Sequence, residues 1–181
     1  MRTPPGLARR CVLVVAVLAS LRCAPATPEA TRNATPATGD RLALSGLEAP
    51  VTIVTDRYGI PHVRARSFGD LYFAWGFVTA RDRLWQLEKL RRSADGTMWE
   101  LVGNRSLRED GGAQLFELAT RAHRIWERES KIEEARVPLE RFASGVNAYL
   151  ALCRSGSRPW PDEFRLLHAR PDDWRPEDCF A

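Results

Sequence analysis

The chain has 181 residues, enough for one ordinary domain, and a formal net charge of +4. That excess sits in the first 26 residues, where Arg2, Arg9, Arg10 and Arg22 stand without any acid; the other 23 basic residues balance the 23 acidic ones. A basic surface for nucleic acid is therefore excluded as a working expectation.

The N-terminus reads as a secretory signal over residues 1–26. Arg2, Arg9 and Arg10 form a positive start, Cys11 to Leu21 is an apolar run of eleven, and Ala24-Pro25-Ala26 fits a small-x-small cleavage site. Eleven residues are too few for a membrane span, which needs about 20. The expected location is secreted or periplasmic. Cys23 offers lipid anchoring as an alternative, against which the preceding Arg22 argues. Residues 27–45, rich in Thr, Pro and Ala at their start, read as a disordered linker with little to bury. Residues 46–181 form the remaining region.

From Val51 the pattern alternates as a strand, and Asp56-Arg57-Tyr58-Gly59 supplies a turn. Ile60-Pro61-His62-Val63-Arg64-Ala65 returns as the second strand of a hairpin. Gly59 allows a positive φ, and Pro61 places its strand at an edge, at its own start or at a bulge. Ser67-Phe68-Gly69-Asp70 is a capping-box-like helix start. Leu71, Ala74, Trp75 and Val78, with Phe77, Ala80, Leu84, Leu87 and Arg91 alongside, predict a long helix to about Arg92, broken by Gly96. A short helical piece is expected over 97–102, then a helix from Gln114 to about Glu129. Pro138 suits a first helical position, and the stripe Leu139, Phe142, Val146, Tyr149 and Cys153 continues that helix to Ser155-Gly156. Trp174-Arg175-Pro176-Glu177-Asp178 reads as a further helix start. The fold class expected is α+β, mostly helical, with an N-terminal β-hairpin followed by long helices.

Several residues invite a functional reading. Arg81-Asp82-Arg83 interrupts an apolar helix, which points either to a buried Asp–Arg network or to a solvated stripe. His62 could carry a proton, though a lone His on a strand is more often a structural hydrogen-bonding residue. Arg91 and Arg92 could bind an anion or offset a helix C-terminus. His123 and His168 lack ligand-spaced partners, so no zinc site is indicated. Cys153 and Cys179 could pair in an oxidising compartment; with nothing in the sequence to bring them within bridging distance, unpaired thiols are the preferred reading. The six tryptophans read as core and packing residues of a large protein, not as a sugar-binding platform.

The order of these segments resembles the start of the α-chain in the penicillin acylase family of N-terminal-nucleophile hydrolases. The likeness runs through Asp56-x-x-Gly59-x-Pro61-His62, Asp82-Arg83-x-x-Gln86 and Arg91-Arg92. Further segments follow: Gly145-Val146-Asn147-Ala148, Pro161-Asp162-Glu163-Phe164, and Trp174 to Asp178. Arg81 stands where the family has Gln, and Gln114 where many members have Arg. For Arg91 and Arg92 the helix C-terminus is the preferred reading, and the resemblance tips the Asp82 patch toward the buried network. It implies a partial piece of an αββα hydrolase that cleaves linear amide bonds of acylated small molecules such as β-lactams. It implies no catalytic, cofactor or metal residue in this chain, and calcium only in the whole enzyme. The implied partners are the rest of the α-chain, the β-chain and a small acylated substrate, with no nucleic acid and no stable membrane span. Competing readings are a non-catalytic secreted helical module, a gene remnant, or an acyl-homoserine lactone or cephalosporin acylase.

Overall fold

The structure, a computed structural model, describes residue 39 and residues 41–180. The signal segment, Cys11, Cys23, and residues 27–38 and 40 of the expected linker lie outside the described residues. The chain divides into two units, residues 1–39 and 40–181, and every described helix and strand belongs to the second.

Two short strands open that unit, β1 (Thr52–Thr55) and β2 (Pro61–Arg64), paired antiparallel with Ile53 opposite Val63 and Val54 opposite His62. Alternation turns Ile53 and Val63 toward the core and leaves Val54 and His62 outside. Gly59 takes φ 80° in the connecting turn, and Pro61 sits at the first position of its strand. Helix α1 spans Phe68–Asp95. Ser67 caps it by accepting the Asp70 amide at 3.1 Å, and Gly96, at φ 65°, ends it. Then come α2 (Trp99–Val102), a 3-10 turn over Gly103–Ser106, α3 (Leu107–Leu115) and α4 (Leu118–Glu129). Helix α5 (Glu133–Arg154), the short α6 (Asp162–Leu166) and a 3-10 turn (Pro176–Phe180) complete the described chain. Among the described residues no helix is long and apolar enough to cross a membrane.

Two expectations need correction. The helix expected from Gln114 is two helices: Gln114 belongs to α3, and α4 starts at Leu118 after Glu117 adopts φ 53°, a left-handed conformation that no straight helix tolerates. Helix α3 itself is hidden in the sequence by Gly111 and Gly112, poor helix formers. Pro138 lies inside α5, which begins at Glu133. It forfeits one amide bond near the N-terminal end, where few bonds have yet formed, and the helix continues through it. Trp75 and Trp99 are about half exposed (56% and 48%), while Trp174 is buried.

The core forms where α1 meets α5. Asp70 lies beside Arg141, Phe73 beside Gly145 and Phe77 beside Tyr149, so the residue numbers ascend together and the helices run roughly parallel where they touch. Two parallel neighbours cannot be joined by a short loop; α2, α3 and α4 make the return. The contact is close because Gly76 and Gly145 have no side chains. A Cβ on Gly76 would overlap the Phe142 carbonyl, and one on Gly145 would overlap the Phe73 carbonyl. Around this pair, Phe77, Leu84, Val146, Leu150 and Phe164 fill the core.

Asp70 fastens the segment before β1 to this framework. Its carboxylate accepts the amides of Glu48 (2.9 Å) and Ala49 (3.0 Å) and pairs with Arg141 at 3.0 Å. The Glu48 amide is the largest influence on its pKa. Burial opposes, but the Ala49 amide, Arg141 and Ser67 add to the first effect and hold the carboxyl below its ordinary range.

Two measurements test this framework. Gly145→Ala and Gly76→Ala should each destabilise the chain by about 1–3 kcal/mol or more, because backbone cannot yield as a side-chain tip can. Gly111→Ala, which meets open space in a helix, should be neutral or stabilising by about 0.5–1 kcal/mol in the same urea titration. Asp70 gives the second. Its depressed folded pKa means that its contribution is full above the ordinary carboxyl value of about 4 and is lost as pH falls through the folded value. The stability gap between the natural chain and Asp70→Asn should therefore be wide at neutral pH and shrink at strongly acidic pH.

Candidate functional site

The residues singled out from sequence fall into three places. The first is the hairpin turn. Asp56 accepts the amides of Tyr58 (2.8 Å) and Ile60 (2.9 Å), and its second oxygen meets His62 Nε2 at 3.1 Å. The Ile60 amide, then the His62 side chain, hold the Asp56 carboxyl below its ordinary range, with burial opposing them weakly. Asp56, Gly59, Pro61 and His62 thus form a turn that closes on itself, with His62 bonded to Asp56.

The second place is a kink in α1. Arg83 leaves helical geometry (φ −144°, ψ 31°). Before the break Arg81 grips Asp82 through two bonds of 2.7 and 3.0 Å; after it Arg83 donates to Gln86 at 3.0 Å. The Asp82 bond is the main reason the Arg81 guanidinium is held more basic than usual. The buried network expected around Asp82 is not there: the side chains of Arg81 and Asp82 are 33% and 38% exposed. The inward row of α1 runs Gly76, Ala80, Leu84, Glu88, Arg91, and positions 81–83 fall between its members, on the wet side.

A buried network does exist, one to two turns further on. Glu88, 2% exposed, receives Arg91 through Nε and Nη2 on one oxygen and Arg92 Nε at 2.7 Å on the other. Arg92 reaches Glu100 at 2.7 Å; burial works against its charge, but Glu100 and Glu88 outweigh it and raise its pKa. Arg91 Nη1 stands 3.7 Å from Asp178, which also takes the backbone amide (2.8 Å) and the guanidinium (2.9 Å) of Arg175. Partial burial, then the charge of Asp178, push the neighbouring Asp95 carboxyl up. Arg91 and Arg92 therefore neither wait for an anion nor merely offset a helix end. They tie α1 to α2 and to the Pro176–Phe180 turn.

The later motifs meet the same place. Asn147 accepts the Trp174 amide at 2.7 Å and donates to the Trp174 carbonyl at 2.9 Å, pairing like a strand with one residue. Segments distant in sequence are thus joined by Asn147–Trp174 and Arg91–Asp178. Asp110, 3% exposed, receives the Met98 and Trp99 amides and the Ser106 hydroxyl. Gln114 donates to the Gly96 carbonyl at 3.0 Å, binding the α1 terminus without an ion pair. Sequence reasoning misses Glu88, although its spacing of three and four residues from Arg91 and Arg92 is the helical ion-pair signature.

The chemistry available here is scaffolding. Burial pushes the Cys153 thiol up, and likewise Cys179, so neither favours the reactive thiolate. Among the described residues no cluster of His, Cys, Asp or Glu could hold a metal ion.

The contrast between the two ionic patches is testable by urea denaturation. Glu88→Gln leaves buried arginines without their counter-charge and should cost about 3–5 kcal/mol. Asp82→Asn removes a surface pair and should cost less than about 1 kcal/mol. The reverse ranking would mean that the kink, not Glu88, holds the critical charge.

The sequence model of the penicillin amidase family matches residues 50–181, which takes in every motif described above. Among curated proteins, penicillin acylase 2 proenzyme of Pseudomonas sp. (strain SE83) is 38% identical over 153 residues, covering 84% of this chain and 19% of that protein. Acyl-homoserine lactone acylase QuiP of Pseudomonas aeruginosa is 34% identical over 139 residues, covering 75% and 15%. A solved structure of the thermostable penicillin G acylase from Alcaligenes faecalis superposes with a TM-score of 0.62 at 29% identity, covering 72% of this chain and 68% of that one. The chain spans no more than about a fifth of the curated relatives' own length. With a family match over most of its length and these motifs converging in space, the chain belongs to the penicillin amidase family.

Proposed function

We propose that this chain is the N-terminal part of an amidohydrolase that cleaves linear amide bonds of acylated small molecules, β-lactam antibiotics among them. The observation that carries the reading is the family match from residue 50 to residue 181, within which Asn147–Trp174 and Arg91–Asp178 join distant segments. The reacting groups then belong to the larger part of the enzyme. There an N-terminal serine, freed by cleavage, would act as nucleophile, with its own α-amine as base. A relative named as a proenzyme accords with such maturation.

A second substrate reading has its own support. Relatives named as acyl-homoserine lactone acylases match at 29–34% identity, against 38% for the penicillin acylase. Both substrates present an acyl amide to the same chemistry.

The purified 181-residue chain should hydrolyse neither penicillin G nor a fatty-acyl homoserine lactone nor a chromogenic phenylacetyl amide. Protein expressed from the gene with its downstream sequence should cleave at least one of them, and the preferred one names the substrate class. Turnover by the 181-residue chain, abolished by a substitution within it, would place the nucleophile here after all.

A further inference from the structure

Asp95 ends α1 in a setting that disfavours a carboxylate. It occupies the C-terminal turn, where the helix dipole presents its negative end and favours cations. Glu88, Arg91 and Asp95 recur at helical spacing, so Asp95 lies on the inward face that meets the Pro176–Phe180 turn. Across that joint Arg91 stands 3.7 Å from Asp178, which is already held by the amide and the guanidinium of Arg175. Asp95 is half-buried and forms no hydrogen bond or ion pair among the described residues. The cations of the joint are engaged elsewhere: Arg91 with Glu88, Arg92 with Glu88 and Glu100, and Arg175 with Asp178 and Glu177.

The charges facing Asp95 are the carboxylates of Asp178 and Glu88 and the guanidiniums of Arg91 and Arg175. From α3, Gln114 binds the carbonyl of the adjacent Gly96 and brings no charge, while Asp110 is turned to the Met98 and Trp99 amides. From α4, His123 stands 3.9 Å from Glu177. Burial and the charge of Asp178 push the Asp95 carboxyl up, and Arg91 and Arg175 offset them only in part.

We propose that Asp95 makes the joint between α1 and the Pro176–Phe180 turn a proton-operated latch, which tightens when Asp95 takes up a proton and slackens when it loses it. A neutral carboxyl ends the repulsion with Asp178, suits the half-buried site and the helix end, and leaves Arg91 wholly to Glu88 and Asp178. A carboxyl held above its ordinary value binds its proton more tightly in the folded chain than in the unfolded one. The latch is therefore slack above the raised value and gains hold as pH falls through it. Below the ordinary carboxyl value of about 4 it gains nothing further. Asp70, whose carboxyl is held down, loses its contribution only below that value. The two ends of α1 thus answer acid in opposite directions and in separate ranges. The latch is independent of which amide the enzyme cleaves.

The test compares the natural chain with Asp95→Asn, Asp95→Ala and His123→Gln from about pH 8 to about pH 4. Carboxyl-carbon NMR follows the titration of Asp95. Hydrogen exchange, corrected for the intrinsic rate at each pH, follows the protection of the Arg175 amide, which donates to Asp178 within the turn. Asp95 should titrate above the ordinary carboxyl value. Protection in the natural chain and in His123→Gln should rise by about threefold or more on acidification. In both Asp95 variants it should be high from the start and flat. Titration of Asp95 at or below the ordinary value would overturn the latch. So would protection that stays constant or falls as the natural chain is acidified, or a rise that survives in either Asp95 variant. A rise abolished by His123→Gln would assign the response to the histidine facing Glu177 and overturn the role of Asp95.

Discussion

The structure depends on the absence of two side chains. Gly76 and Gly145 let the backbones of α1 and α5 touch, and every other contact of the core is set by that distance. Once the helices are this close, Phe77 meets Tyr149 edge to face at 5.6 Å. Val146 and Leu150 are then sealed from water. Interiors packed at crystal-like density transmit such a constraint, because no side chain is free to absorb a displacement.

Charge then fixes the register that the glycines make close. Apolar surfaces can slide; a charge that must meet its partner on another segment cannot, as with Asp70 and Arg141 or Arg91 and Asp178. Glu88 with Arg91 and Arg92, and Asp70 with Arg141, stand toward opposite ends of α1. Each joins α1 to a different distant segment: α2 and the C-terminal turn at one end, α5 and the residues before β1 at the other. A buried ion pair is a poor source of net stability but a strong penalty on any arrangement that separates it. Such a penalty holds distant segments in one arrangement, which is what the charged motifs that mark the family do here.

Much of this is legible in the sequence. The hairpin, the Ser67 cap, the length of α1 and the Gly96 stop follow from local chemistry, where one residue type has one plausible task. The stripe on α5 follows from its 3.6-residue period. The rest needs tertiary information. Asp82 between two arginines looks like a buried network, and only the direction of the α1 face shows that it is wet. Arg91 and Arg92 look like free cations until Asp178, far away in sequence, is brought beside them. Helix α3 is hidden because its two glycines weaken the local signal, while Asp110 holds it by accepting the Trp99 amide at the α2 start and the Ser106 hydroxyl. Helical position alone does not tell how far Trp75 is covered; the structure leaves it 56% exposed.

The parallel course of α1 and α5 has a consequence for how such a protein is made. The partner of Gly76 arrives roughly 70 residues later, and chains are synthesised at about 5–20 residues per second. For several seconds α1 stands outside the ribosome with its glycine-lined, aromatic face unmatched, and the helices made in the meantime cannot cover it. Local elements form within microseconds, so the waiting is done by a finished helix, not by a random chain. Substitutions that make α1 stickier without altering the final packing should therefore reduce yield in cells while leaving the purified protein as stable as before.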